Sequence, residues 1–219
     1  MTSITILLAA ALTGFVHTVA GPDHYLPFIV MSKARNWSLK QTLFITFCCG
    51  LGHIVSTIII GFVGIALGYG IAHIEGVDSI RGNLAGWMLL IFGLVYMIWG
   101  ITYAKRKSIT TETNSLENIN INSKSTQLLT PWVLFIIFVF GPCEILIPLV
   151  MIPAASQSPE GIIGVLLVFS FVTILTMCAV VALGYYGFKF LKTAKIDKYM
   201  HAIAGATLFI SGLVLLLII

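Results

Sequence analysis

Apolar residues along this chain gather into six long stretches, approximately 4–31, 41–72, 83–104, 131–154, 161–188 and 200–219, separated by short polar or basic connections. Most reach the ~20 residues that cross the hydrocarbon layer of a bilayer, and the longest must tilt, break or extend past the lipid. The pattern predicts an all-α polytopic membrane protein with six transmembrane helices. One polar interruption, 105–130, includes the run from Asn114 to Asn122 and has no periodic apolar face. It reads as a flexible cytoplasmic linker between a first three-helix unit, 1–104, and a second, 131–219.

Composition strengthens this reading: 58% of residues are hydrophobic, 9% are charged and the mean hydropathy is +1.04. Soluble domains carry about 25% charged residues. Met1-Thr2-Ser3-Ile4 supplies no basic region ahead of the first apolar stretch, so that stretch is expected to stay in the mature protein as a helix. Eleven of the twelve Lys and Arg follow segments one, three and five, whereas Arg81 is placed in an intervening loop with Glu75, Asp78 and Glu160. Basic loops stay cytoplasmic, which puts both termini outside and the protein in the cytoplasmic (inner) membrane. The net charge of +4 therefore reports topology. No basic patch remains for nucleic acid, and the surroundings are membrane lipid.

The two halves resemble each other. At an offset of 120 residues, Gly21-Pro22-Asp23-His24-Tyr25-Leu26-Pro27-Phe28-Ile29-Val30-Met31 lies over Gly141-Pro142-Cys143-Glu144-Ile145-Leu146-Ile147-Pro148-Leu149-Val150-Met151, with Gly, Pro, Leu, Val and Met identical. At 119, Ala85-Gly86 and Gly93-Leu94-Val95 meet Ala204-Gly205 and Gly212-Leu213-Val214. A repeat of three helices is odd, so its second copy enters the membrane from the opposite side, as in many secondary transporters. Each Gly-Pro pair removes a backbone donor, so helices one and four are expected to be broken. Broken backbone at membrane depth is tolerated where it lines a cavity or is buried in protein.

The ionisable residues lie at those breaks. A charged side chain at bilayer depth costs roughly 2.5 to 3.5 kcal/mol on insertion scales, so Asp23 and His24 point to an ion path or a buried site. His17 precedes His24 by seven residues, and His53 stands in Gly50-Leu51-Gly52-His53. Cys143 and Glu144 occupy the matching break and read either as ligands or as path lining. Cys48, Cys49 and Cys178 read as packing, and their apolar settings argue against a disulfide framework. His73 and His201 are placed near segment ends, at the interface. Thr173, Thr176 and Met177 line the path or simply bond back to their own helix. Imidazole with carboxylate, and one thiolate, suits nickel, cobalt or zinc. Asp23 and Glu144 together match the charge of such a divalent ion, and protons would compete with it.

His17-Thr-Val-Ala-Gly-Pro-Asp23-His24 followed by Leu51-Gly52-His53 resembles the paired signatures of the nickel/cobalt transporters. It is closer still to their six-helix relatives, the urease-accessory UreH-like membrane proteins and nickel/cobalt efflux proteins. The spacer holds five residues where the nickel permeases have four, and Ile54-Val55-Ser56 stands where Ser-Thr-Val usually follows. The resemblance implies His17, Asp23, His24 and His53 as metal-selecting residues. More distantly, Gly141-Pro142-Cys143 resembles the CcdA/DsbD-type thiol:disulfide electron carriers of cytochrome c biogenesis, which use one cysteine from each half; here the partner position is Asp23. Loosely related TauE/SafE-type exporters suggest an anion such as sulfite, but no Lys or Arg is expected deep in a segment.

The sequence thus predicts a secondary transporter, not an enzyme. It would move a divalent transition-metal ion past His17, Asp23, His24, His53, Cys143 and Glu144, with no permanently bound cofactor. Sulfite export and thiol-redox electron transfer through Cys143 are the alternatives, and a homo-oligomer is left open.

Overall fold

The computed structural model describes residues 2–66, 71–112, 123–141, 146, 149–150, 159–190 and 194–218. Among them are seven α-helices and no strand: α1 (Thr2–Ala20), α2 (Leu26–Ala34), α3 (Leu39–Ala66), α4 (Ile71–Glu112), α5 (Ser123–Phe140), α6 (Pro159–Phe190) and α7 (Ala194–Ile218). Four contain full-length apolar spans: Leu39–Val63, Ser79–Lys105, Glu160–Phe188 and Lys198–Leu217. A fifth span is bent: Ile4–Ala20 and Pro22–Ala34 meet at 83°. The apolar part of α5, Thr130–Phe140, is short and ends at the Gly141-Pro142 pair. The described residues therefore show four spans, or five with the bent pair, where the sequence predicts six. Helix also occupies both ends of the stretch read as a linker, since α4 runs to Glu112 and α5 begins at Ser123; residues 113–122 lie outside the described set.

Large apolar side chains face outward along these spans. Leu8, Phe44, Leu167, Phe171 and Ile210 are each more than half exposed. Such a continuous apolar exterior suits lipid and would be a liability in water. The chain is a multi-pass membrane protein.

The first break has a local cause. Pro22 has no N–H, so α1 stops at Ala20, with Gly21 donating to the His17 carbonyl at 3.0 Å. One 3₁₀ turn, Pro22–His24, follows, and Tyr25 leads into α2 with Pro27 in its first turn, where a missing donor does no harm. α2 ends in a Schellman-type turn: Asn36 takes the left-handed conformation (φ 53°) and the Trp37 N–H reaches back to the Ser32 carbonyl at 2.9 Å. Ser38 then caps α3 by accepting the Gln41 N–H at 3.2 Å. The chain reverses within four residues.

Packing between the halves follows small residues. Gly86, Gly93 and Gly100 on α4 and Gly205 and Gly212 on α7 each recur at seven-residue spacing. Gly93 lies against the backbone of Phe209, and Gly205 against that of Met97, so the two helices run antiparallel with their backbones touching. Close approach of this kind substitutes for the hydrophobic drive that lipid removes. At one end of the pair, the guanidinium of Arg35 lies over Tyr96 (5.3 Å) and Trp99 (5.8 Å), and the Tyr96 hydroxyl hydrogen-bonds with His201 Nδ1 at 2.9 Å. Elsewhere α1 packs along α6, α3 along α5 and α3 across α6.

Gly205→Leu is expected to lower stability by at least about 1–3 kcal/mol, because a side chain there meets backbone that cannot yield. Gly61→Leu, where an added side chain meets nothing within 4 Å, is the control. Thermal unfolding in detergent distinguishes them; equal melting temperatures would refute the close-packed α4/α7 seam.

Candidate functional site

The bend between α1 and α2 carries two imidazoles toward a third on α3. The rings of His17 and His24 have centroids 4.6 Å apart, and those of His24 and His53 are 5.5 Å apart. One nitrogen from each of the three lies within 4.8 Å of the other two. His24 and His53 are buried and His17 is partly so. Each Nε2 is sealed from solvent and has no hydrogen-bond partner. Three such atoms in one place would be costly without something to bind them.

Two of these rings are oriented by backbone at the breaks. His53 Nδ1 lies 3.2 Å from the Phe138 carbonyl. In an unbroken helix that carbonyl would accept the N–H of residue 142, but residue 142 is proline and has none, and the carbonyl accepts the Gly141 N–H at 3.0 Å instead. His24 Nδ1 lies 3.1 Å from the Gly21 carbonyl and 3.4 Å from Asp23 Oδ1. A carbonyl can only accept, so in both rings Nδ1 carries the hydrogen. In the neutral ring Nε2 then presents its lone pair to the cluster, as a metal-binding imidazole requires. Gly21 is needed for this fit, since a Cβ there would stand 2.5 Å from His24 Nδ1.

Asp23, read as a ligand from the sequence, lies outside the group of three. It contacts the outer nitrogen of His24, in the position of a second-sphere carboxylate, and is about a quarter exposed. Beside it a cavity of about 20 Å³ is lined by Asp23, His24, His53, Ile137, Phe138 and Gly141 among others. That volume holds one water-sized sphere. Cys143 and Glu144 lie outside the described residues. Cys48, Cys49 and Cys178 are free thiols, Cys49 fully buried in the core. His201, near the start of the Lys198–Leu217 span, belongs to the Tyr96 cluster of α4 and α7, and His73 has no described side chain.

Arg81 corrects the sequence reading outright. Placed in a loop by charge counting, it stands instead in the first turns of the Ser79–Lys105 span and is buried. Its Nη2 donates to Ser56 Oγ at 2.8 Å, to the Val139 carbonyl at 2.8 Å and to the Gly141 carbonyl at 3.3 Å. Ser56 in turn donates to the His53 carbonyl at 2.8 Å. The guanidinium thus ties α4 to α3 and to the last carbonyls of α5, where the helix dipole is negative. A single Arg at the edge of an apolar segment resembles a loop residue; only the carbonyls at the end of α5 reveal why it folds inward. Arg81 thus enters the edge of a span, where helix-end carbonyls and Ser56 engage it.

The architecture and the site are those of a polytopic helical membrane protein built around a proline-broken helix. Residues 6–214 match the family of the cytochrome c biogenesis protein transmembrane region, and the chain belongs to that family. No curated protein and no solved structure matches it. The match supports the more distant of the resemblances read from the sequence, that to the electron carriers of cytochrome c biogenesis, and lends none to the nickel/cobalt transporters. On kinship alone it favours a thiol-redox role over metal transport.

Arg81→Gln is expected to lower stability by about 2 kcal/mol or more, since each hydrogen bond to a charged group is worth roughly 1.5–3 kcal/mol. Arg81→Lys should recover part of it, through one contact rather than several. Chemical unfolding of both variants checks this; an Arg81→Gln protein as stable as wild type would remove the tie from the account.

Proposed function

We propose that this chain uses the scaffold of its family to carry a divalent transition-metal ion across the membrane. The observation that carries the reading is the convergence of three imidazoles, those of His17, His24 and His53, each with a sealed, unpartnered Nε2. Three imidazoles and an open fourth position suit zinc, nickel or cobalt, and leave the ion exchangeable. Asp23 orients His24 and balances charge. The cavity beside the cluster admits a single ion and no organic substrate. Cys143 and Glu144 are proposed to complete the path from the second half. The cross-packing of α1 with α6 and of α3 with α5, and the antiparallel α4/α7 seam, support two inverted three-helix repeats; the basic residues favour both termini outside the cytoplasmic membrane. Movement would be driven by an ion gradient or by a partner, since the sequence shows no nucleotide-binding loop.

A second reading, an electron carrier that shuttles a disulfide through Cys143, is favoured by the family match. It requires a partner thiol from the first half, where Cys48 and Cys49 are the candidates.

The two readings separate in one set of experiments. Purified protein in liposomes is offered zinc, nickel, cobalt, manganese and iron, and flux and bound metal are compared with His24→Ala, Asp23→Asn and Cys143→Ser. Metal carriage requires His24→Ala to lose binding and flux, and Asp23→Asn to weaken binding about 10- to 100-fold, as loss of a second-sphere carboxylate does. Absence of bound metal together with thiol–disulfide exchange that Cys143→Ser abolishes would establish the redox reading instead.

A further inference from the structure

The 120-residue offset that overlays the two Gly-Pro breaks continues into the following helices. It sets His53 over Thr173, Ile54 over Ile174 and Ser56 over Thr176. Thr173 is wholly buried on α6 and faces α1: a Cβ built on Gly14 would stand 3.1 Å from its Oγ1. His17 is one helical turn farther along α1, and its ring lies 6.2 Å from that of Phe169, one turn before Thr173. Thr173 thus meets the first half's broken helix as His53 meets α5.

Its hydroxyl behaves unlike those of Thr18, Thr46 and Thr57. Thr18 donates to the Gly14 carbonyl at 2.8 Å, Thr46 to Thr42 at 2.9 Å and Thr57 to His53 at 3.3 Å, each bonding back one turn along its own helix. The same option is open to Thr173, whose fourth residue back is Phe169, yet Thr173 Oγ1 has no hydrogen bond at all. A buried hydroxyl that forgoes an available carbonyl costs stability unless a ligand repays it. Thr173 Oγ1 joins the three imidazole Nε2 atoms among the sealed, unpartnered polar atoms.

We propose that Thr173 is a specificity-determining residue from the second half, its Oγ1 accepting a hydrogen bond from a water that remains on the ion as it passes His17. This rests on the metal-carrying reading and deepens it: the cargo is a divalent ion that keeps part of its hydration, in preference to a bare monovalent copper ion held by soft ligands.

The test uses Thr173→Val, which keeps the shape and removes the hydroxyl, beside Thr173→Ser, His24→Ala and wild type, with zinc and nickel as probes in liposomes and melting temperature as the structural readout. Thr173→Val is expected to melt no lower than wild type, because it discards an unsatisfied group, while flux falls about tenfold, the lower end of what loss of an outer-sphere contact costs. Thr173→Ser should restore flux. Wild-type flux in Thr173→Val overturns the proposal and leaves the histidine site standing. A flux loss that accompanies a lower melting temperature and is not rescued by Ser assigns Thr173 to packing and also overturns it. Wild type that binds neither zinc nor nickel, and is indistinguishable from His24→Ala, defeats the metal reading and this inference with it.

Discussion

Two carbonyls at the Gly-Pro breaks govern this structure. Inside a bilayer a backbone polar group has no water to turn to, so each must be met by the protein. Phe138 and Gly21 each accept a backbone N–H from the third residue on, Gly141 and His24, and each also meets an imidazole, His53 Nδ1 and His24 Nδ1. Each imidazole contact fixes a ring, its tautomer and the direction of its free nitrogen in one step. Arg81 serves the neighbouring carbonyls of Val139 and Gly141. The site is therefore built at the breaks that interrupt the helices.

This explains which parts were legible in the sequence. The break of helix one, the burial of His24 and the partnership of His17, His24 and His53 all follow from proline chemistry and from ionisable residues in apolar segments. The heptad spacing of His17 and His24 gave the right pair for an incomplete reason, since an 83° bend lies between them and it is the bend that brings the rings to 4.6 Å. Asp23 shared the motif with His24 but reaches its outer nitrogen, a distinction that depends on the 3₁₀ turn and not on residue order. Arg81 was misplaced because charge counting assigns a basic residue to the nearest loop, whereas hydrogen-bonding demand from another helix drew it inward. The idle hydroxyl of Thr173 could not be read either, since sequence does not tell a threonine that bonds back from one that does not.

Family membership and site geometry address different levels. The family supplies the membrane scaffold with its proline-broken helices, while chemistry depends on what stands at the breaks. At the first-half position that matches Cys143 this chain has Asp23, beside His24 and two further imidazoles that gather near it. A thiol relay leaves those three sealed nitrogens unexplained.

The glycine seam between α4 and α7 bears on mechanics. Along Gly93, Gly100 and Gly205 the two backbones meet directly, so these helices cannot slide past each other there without separating. They form a spine. Any rearrangement of the bundle is expected to take its play from other contacts.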